Sequence, residues 1–325
     1  MKKFIFKLLA LLLVVILLFS VLLFGVPADK NAYLCEYVRK VELIEKTETP
    51  RLIFIGTSSL AYDINSKQIS DSLGIPVINL GLNRDIGSRY YLDDFLQYIK
   101  KGDVVVISPS YLADFIDGGK GIPDALIDLM ISTQWRRVTS FDAGQLFQII
   151  SGVPYFCLRN LMRLVKSPMN GFTTGTEHEE YVYVASGFNE YGDESSHWHL
   201  PYKKGYNTKA FPVEILTKKD ATISDDYLIY LKDVLAKYAE KGASVILMPE
   251  INSESYYQRS ECHDIERAMA NYGMAFDLRP DDLVFSDSYG YDGWCSNHFN
   301  YQGVQAVSEK MVQLIKRQNV VNPQP

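Results

Sequence analysis

Ser58 and His298 are the two residues whose types and settings suit nucleophilic catalysis. Ser58 lies in Gly56-Thr57-Ser58-Ser59, directly after the apolar run Leu52–Ile55. Such a run reads as a short buried strand, and the glycine permits a tight turn into a following helix. The helix N-terminus then points its N–H groups toward the serine and exposes the hydroxyl at the rim of a sheet. The plainer reading of the same serine is a helix N-cap, worth about 1 kcal/mol. A serine nucleophile needs a base. The histidines are His178, His197, His199, His263 and His298, and the last lies in Asn297-His298-Phe299-Asn300-Tyr301-Gln302-Gly303, just before a final helix. In a doubly wound sheet that loop shares the C-terminal rim with the end of the first strand, which puts His298 within reach of Ser58. The plainer reading of His298 is an N-cap or surface residue.

Other constellations carry less. His197-Trp198-His199 with Asp193 and Glu194 offers metal-ligand types without a third ligand at a fixed spacing, so a surface loop competes with a metal site and no metal is assigned. Asn189-Glu190-Tyr191-Gly192-Asp193 reads as a turn. Cys35, Cys157, Cys262 and Cys295 form no C-x-x-C pair; Cys262 with Cys295 is a pairing open to an oxidising compartment, against buried free thiols. Tyr90, Tyr91, Tyr111 and Trp294 fall near the expected rim, where they would stack on sugar rings or else pack in the core. No cofactor is implied.

The elements that must position these residues alternate. Strands are expected at Leu52–Ile55, Pro76–Leu80, Asp103–Ile107, Ser244–Met248 and Ala275–Leu278. Helices are expected near Ile64–Leu73, Ser88–Lys100, Thr222–Lys241, Ser260–Tyr272 and Tyr301–Arg317. Short β-branched runs separated by amphipathic helices predict an α/β fold with a parallel sheet covered on both faces. The alternation breaks from about Leu112 to Leu216, with helices expected at Ile122–Ser132, Phe141–Ile150 and Tyr155–Val165 and a Gly-, Ser- and Tyr-rich stretch at Gly171–Lys209. An insertion after a strand's C-terminal end is a lid or substrate cap, or a decoration without a ligand role.

At the N-terminus, Lys2, Lys3 and Lys7 precede an uncharged run from Leu8 to Val26. At about 1.5 Å per residue this run reaches roughly 28 Å, the thickness of a bilayer core. Its length favours a retained anchor over a cleaved signal peptide, and the basic flank places the chain after Val26 outside the cytoplasm in either case. The organisation expected is a cytoplasmic stub and anchor over 1–28, a polar helical stalk over 29–50, and one domain over 51–325 with its insertion at about 112–216. A net charge of −6, from 33 basic and 39 acidic residues without a basic stripe in the domain, argues against nucleic acid as a partner. Hydrophobic content of 47% excludes disorder.

Strand–G-x-S–helix, Asn79-Leu80-Gly81 after the second strand, and His298-Phe299-Asn300 with Gly303 before the last helix resemble the SGNH hydrolase superfamily. The membrane-anchored branch is the nearer likeness, namely the D-alanyl-transfer protein of teichoic-acid modification and the alginate O-acetylation proteins. Val106-Ile107-Ser108-Pro109-Ser110-Tyr111, Met248-Pro249-Glu250-Ile251-Asn252 and the anchor itself carry that likeness. The resemblance implies a three-layer α/β/α sandwich of flavodoxin-like SGNH type, Ser58 as nucleophile, His298 as general base, and an oxyanion hole from backbone N–H groups near Ser58 and at Gly81. Two departures stand out. Ser108-Pro109-Ser110 replaces the superfamily's G-x-N-D, which leaves Ser110 as the substitute donor. Cys295 occupies the usual acid position, which leaves Asp292, Asp287 or a Ser-His dyad. Tyr111 and Trp294 are the expected substrate-stacking residues.

The expected function is an exported, membrane-anchored serine esterase or O-acyltransferase acting on acyl esters of cell-envelope polysaccharide, beside an integral-membrane O-acyltransferase. The alternative is a catalytically weakened, glycan-binding or accessory partner of such an enzyme. A purely structural envelope protein is the third reading.

Overall fold

Four short strands, β1 (Leu52–Gly56), β2 (Val77–Asn79), β3 (Val104–Ser108) and β4 (Ser244–Leu247), form one parallel sheet in the order β2-β1-β3-β4. This is seen in a computed structural model that describes residues 2–25, 30–133, 139, 141–166, 184–199, 222–257, 260–290 and 298–320. β1, β2 and β3 are buried along their whole length, which is why they read as unbroken apolar runs. β1 and β3 pair from Leu52↔Val104 to Gly56↔Ser108, so the turn containing Ser58 and the turn containing Ser110 leave the sheet at one level. Period-2 alternation divides the strand side chains between two cores. Ile53, Ile55, Val105 and Ile107 face Tyr90, Phe95 and Leu231, whereas Leu52, Phe54, Val104 and Val106 face Leu60, Ile69, Val307 and Met311.

Among the described residues, the helices that bear on the sheet and its site are α1 (Lys2–Phe24), α2 (Glu36–Lys46), α3 (Ser58–Asp63), α4 (Ser66–Leu73), α5 (Ser88–Phe95), α6 (Pro123–Ser132), α7 (Ala143–Lys166), α8 (Asp225–Glu240), α9 (Ser260–Asn271) and α10 (Tyr301–Arg317). α3 and α4 separate because Asn65 takes the N-cap of α4 and accepts from the Gln68 N–H at 3.0 Å. α10 keeps the bounds expected from its sequence, capped by Asn300 accepting from the Gly303 N–H at 3.0 Å.

Three expectations are corrected. Ala275–Leu278 is not a strand; the Asp277 carboxylate accepts from the Leu247 N–H at 2.6 Å and the Asp277 N–H donates to Leu247 O at 2.9 Å, so a side chain serves the β4 edge in place of a ladder. Phe141–Ile150 and Tyr155–Val165 are one helix, α7, with Pro154 inside it. Residues 30–50 are not a free stalk, since Tyr33, Leu34, Tyr37, Lys40 and Ile44 are all buried. Lys40 donates to Asn79 O at 3.0 Å and Gly192 O at 2.6 Å, and burial lowers its pKa to about 8. At the other end of the sheet, Arg51 grips Asp103 through two N–H···O contacts of 3.1 Å and donates to Thr47 O and Tyr98 O, with both ionic side chains fully buried. This bidentate pair locks the C-terminus of α2 against β3.

α1 is long and apolar enough to cross a membrane, and only its last turns touch the rest of the described chain.

Candidate functional site

α3 is two turns long and begins at Ser58. Its N-cap, Thr57, makes no side-chain cap hydrogen bond, so the first N–H groups of α3 are not consumed there. Ser58 is half-buried at the rim, whereas Ser59 beside it is buried near Thr57 Oγ1, at 3.4 Å. Two glycines bring the surrounding backbone close to this turn. A Cβ on Gly56 would lie 2.6 Å from Ser108 O, and one on Gly81 would lie 2.8 Å from both Thr57 O and the Ala61 nitrogen. Asn79-Leu80-Gly81 therefore has a steric meaning: only glycine lets the chain leaving β2 cross the start of α3.

His298 is brought to the far end of the same helix. Its ring lies against Tyr62, with centroids 4.5 Å apart, and its Nδ1 is 3.7 Å from Asp63 Oδ2. The other oxygen of Asp63 accepts from the Phe299 N–H at 2.8 Å. Asp63 is wholly buried; burial pushes its carboxyl above the ordinary range, and the His298 imidazole and the Phe299 N–H pull it back. At 3.7 Å the two atoms face each other at ion-pair range, beyond hydrogen-bond distance, and neither has another hydrogen-bond partner among the described residues. Gly303 completes the loop, because a Cβ there would lie 2.6 Å from that of Phe299.

Asp63 is not among the acids that the sequence reading offers for His298. Asp292, Trp294 and Cys295 lie outside the described residues, as does the proposed Cys262–Cys295 pairing. Asp287 begins a separate 3-10 turn, Asp287–Tyr289. The available signal was an acid placed directly after Leu60-Ala61-Tyr62, three residues that are all buried.

A second layer holds the His298 loop from above. His197 Nε2 donates to Phe299 O at 3.1 Å, and its Nδ1 lies 2.6 Å from Glu194 Oε2; both side chains are fully buried. Both ring nitrogens are thereby engaged, and the expectation of a surface loop at His197 is corrected. Glu194 also donates its N–H to Ala61 O at 2.7 Å, which satisfies an end carbonyl of α3. The turn 189–193 is formed as expected, with Asn189 Oδ1 accepting from the Tyr191 and Asp193 N–H groups and Gly192 at φ +88°. Asp193 then binds Ser66 Oγ at 2.6 Å and Asn79 Nδ2 at 2.8 Å. Residues 184–199 of the insertion are thus stitched to α3, α4 and β2.

The neighbouring rim positions differ from expectation. The Gly81 N–H donates to Asn79 Oδ1 at 2.9 Å, and the Ser110 N–H to Asp114 Oδ2 at 2.7 Å. Ser110 keeps a buried hydroxyl at the rim. Tyr111 is 1% exposed, packed near Phe115 and Phe276, so it is a core residue and not a sugar-stacking surface; Tyr90 and Tyr91 are buried likewise. Beside Ser110, Glu250 accepts from the Tyr111 N–H at 2.8 Å, and burial raises its pKa to about 7.

Fold and rim together define a mixed α/β protein whose parallel sheet carries a serine, a histidine and a buried aspartate on and against one short helix. Compared with protein-family models, curated proteins and solved structures, the chain finds no match.

Proposed function

We propose that this chain is an exported, membrane-anchored serine esterase or O-acyltransferase with a three-layer SGNH-like fold, acting on acyl esters of cell-envelope polysaccharide. Ser58 attacks the acyl carbonyl, His298 takes the hydroxyl proton and returns it to the leaving oxygen, and Asp63 fixes the imidazole tautomer and faces the imidazolium as it forms. The observation that carries this reading is the buried Asp63 carboxylate, 3.7 Å from His298 Nδ1, on the helix that Ser58 begins. N–H groups of the first turn of α3 and the Ser110 hydroxyl are the oxyanion donors. The membrane span α1 supports tethering beside envelope polymers and an integral-membrane acyl donor.

The engaged Gly81 and Ser110 N–H groups favour one second reading, a glycan-binding accessory partner of a membrane-bound acyltransferase. A fluorophosphonate probe separates the two. The enzyme is labelled, and labelling is lost in Ser58→Ala and His298→Ala; an unlabelled wild-type chain under conditions that label a control esterase supports the accessory reading.

A further inference from the structure

α7 breaks the usual pattern of a surface helix. Its buried side is Gln145, Ile149, Phe156, Cys157 and Asn160, and its half-buried Arg159 turns toward Asp124 and Asp128 of α6. The exposed side should then be polar. Instead Phe147, Ile150, Tyr155, Leu158 and Met162 are exposed between 48% and 73%, and Val165 continues the stripe at 69%. Ser151 and Pro154 are exposed on the same face, which carries no charge from Phe147 to Met162. At about 100° per residue these positions span an arc of roughly 140°, a continuous apolar face along the helix.

The position of α1 says what covers this face. Asn160 Nδ2 reaches Leu22 O at 3.5 Å, and Cys157 Sγ reaches Phe19 O at 3.7 Å. Leu22 is buried, whereas Phe4 to Leu18 of α1 are exposed. α7 therefore meets α1 near its outer end, within about 3–8 Å of Phe24 at about 1.5 Å per residue. Helices lying in a membrane interface bury their apolar face by about 5–10 Å, a range that overlaps this one.

We propose that α7 lies in the plane of the outer membrane interface, its Phe147–Val165 face inserted into lipid as a second attachment beside α1. The inference rests on the reading of α1 as a membrane span. The occupant is the bilayer itself, because Cys157 and Asn160, which border this face of α7, are the residues that meet the outer end of α1.

The test uses the full chain, purified and placed in nanodiscs of phosphatidylcholine and phosphatidylglycerol. p-Benzoylphenylalanine replaces Phe147, Ile150 or Leu158 in turn, with Leu12 in α1 and the exposed Ile229 of α8 as references. These side chains are exposed, and an unchanged Tm shows that the fold is kept. On irradiation the three α7 positions should cross-link to lipid at about ten times the yield at Ile229, as expected for apolar side chains below the headgroups. Yields equal to that at Ile229, or cross-links to a second copy, with Leu12 still labelling lipid, overturn the inference alone. Failure at Leu12 as well removes the tether reading on which it stands.

Discussion

Replacing Asp63 with asparagine isolates the carboxylate's charge. The amide side chain would keep an oxygen for the Phe299 N–H, now held at 2.8 Å, but lose the negative charge 3.7 Å from His298 Nδ1. At an effective dielectric of about 20, two unit charges at this distance interact by about 4.5 kcal/mol. On the proposed mechanism that is the stabilisation withdrawn from the His298 imidazolium, equivalent to about a 10³-fold loss in kcat/KM at roughly 1.4 kcal/mol per decade. Stability should be unchanged or slightly higher, because Asp63 is a buried carboxyl whose pKa is raised by desolvation and its neutral replacement sheds that cost. The assay is hydrolysis of a p-nitrophenyl acyl ester over a pH series, beside Tm for the same samples. An Asp63→Asn rate close to wild type refutes the role given to Asp63, and so does a rate loss that only follows unfolding.

Three further outcomes are expected. His197→Phe, which removes the donor to Phe299 O, should lower kcat by up to about 10² through misplacement of His298, while His197→Gln restores part of it and KM stays level; equal loss in both variants would point to plain structural damage. Glu250, raised by burial from 4.5 to about 7, binds more protons folded than unfolded between those values. Stability from this group is therefore present at low pH and lost as pH rises toward 7, and Glu250→Gln should gain about 3 kcal/mol relative to wild type between pH 4 and pH 8 in denaturant titrations; a constant gap would count against it. Asp103→Ala strands Arg51 in the core and should cost about 3–5 kcal/mol by the same titration, and a loss under about 1 kcal/mol would show that the pair is not buried in solution.

What the sequence disclosed follows the range of the interactions involved. β1, β3 and α10 were legible because local signals agree: unbroken apolar runs, and Asn300 capping a 3.6-residue pattern. Ser58 stands out through Gly56 and His298 through its place before the last helix, and the structure makes the steric role of Gly56, Gly81 and Gly303 explicit. Asp63 does not stand out, since the Phe299 N–H it accepts from is 236 positions away and nothing local ties an acid at the end of α3 to that loop. His197 was misplaced because its engagement depends on Phe299, although Glu194 and His197, three apart, were a local hint. The two helices expected at Phe141–Ile150 and Tyr155–Val165 are one, as α7 runs on through Pro154.

The clasp of His197 on Phe299 ties the two ends of a long stretch of chain together. His298 is not held by its own loop alone; residues 184–199 must have reached α3 before the imidazole is fixed over Asp63. The corner around His298 is thereby built from elements distant in sequence. On the mechanism proposed above, a change that loosens residues 184–199 would leave Ser58 in place and its base unpositioned.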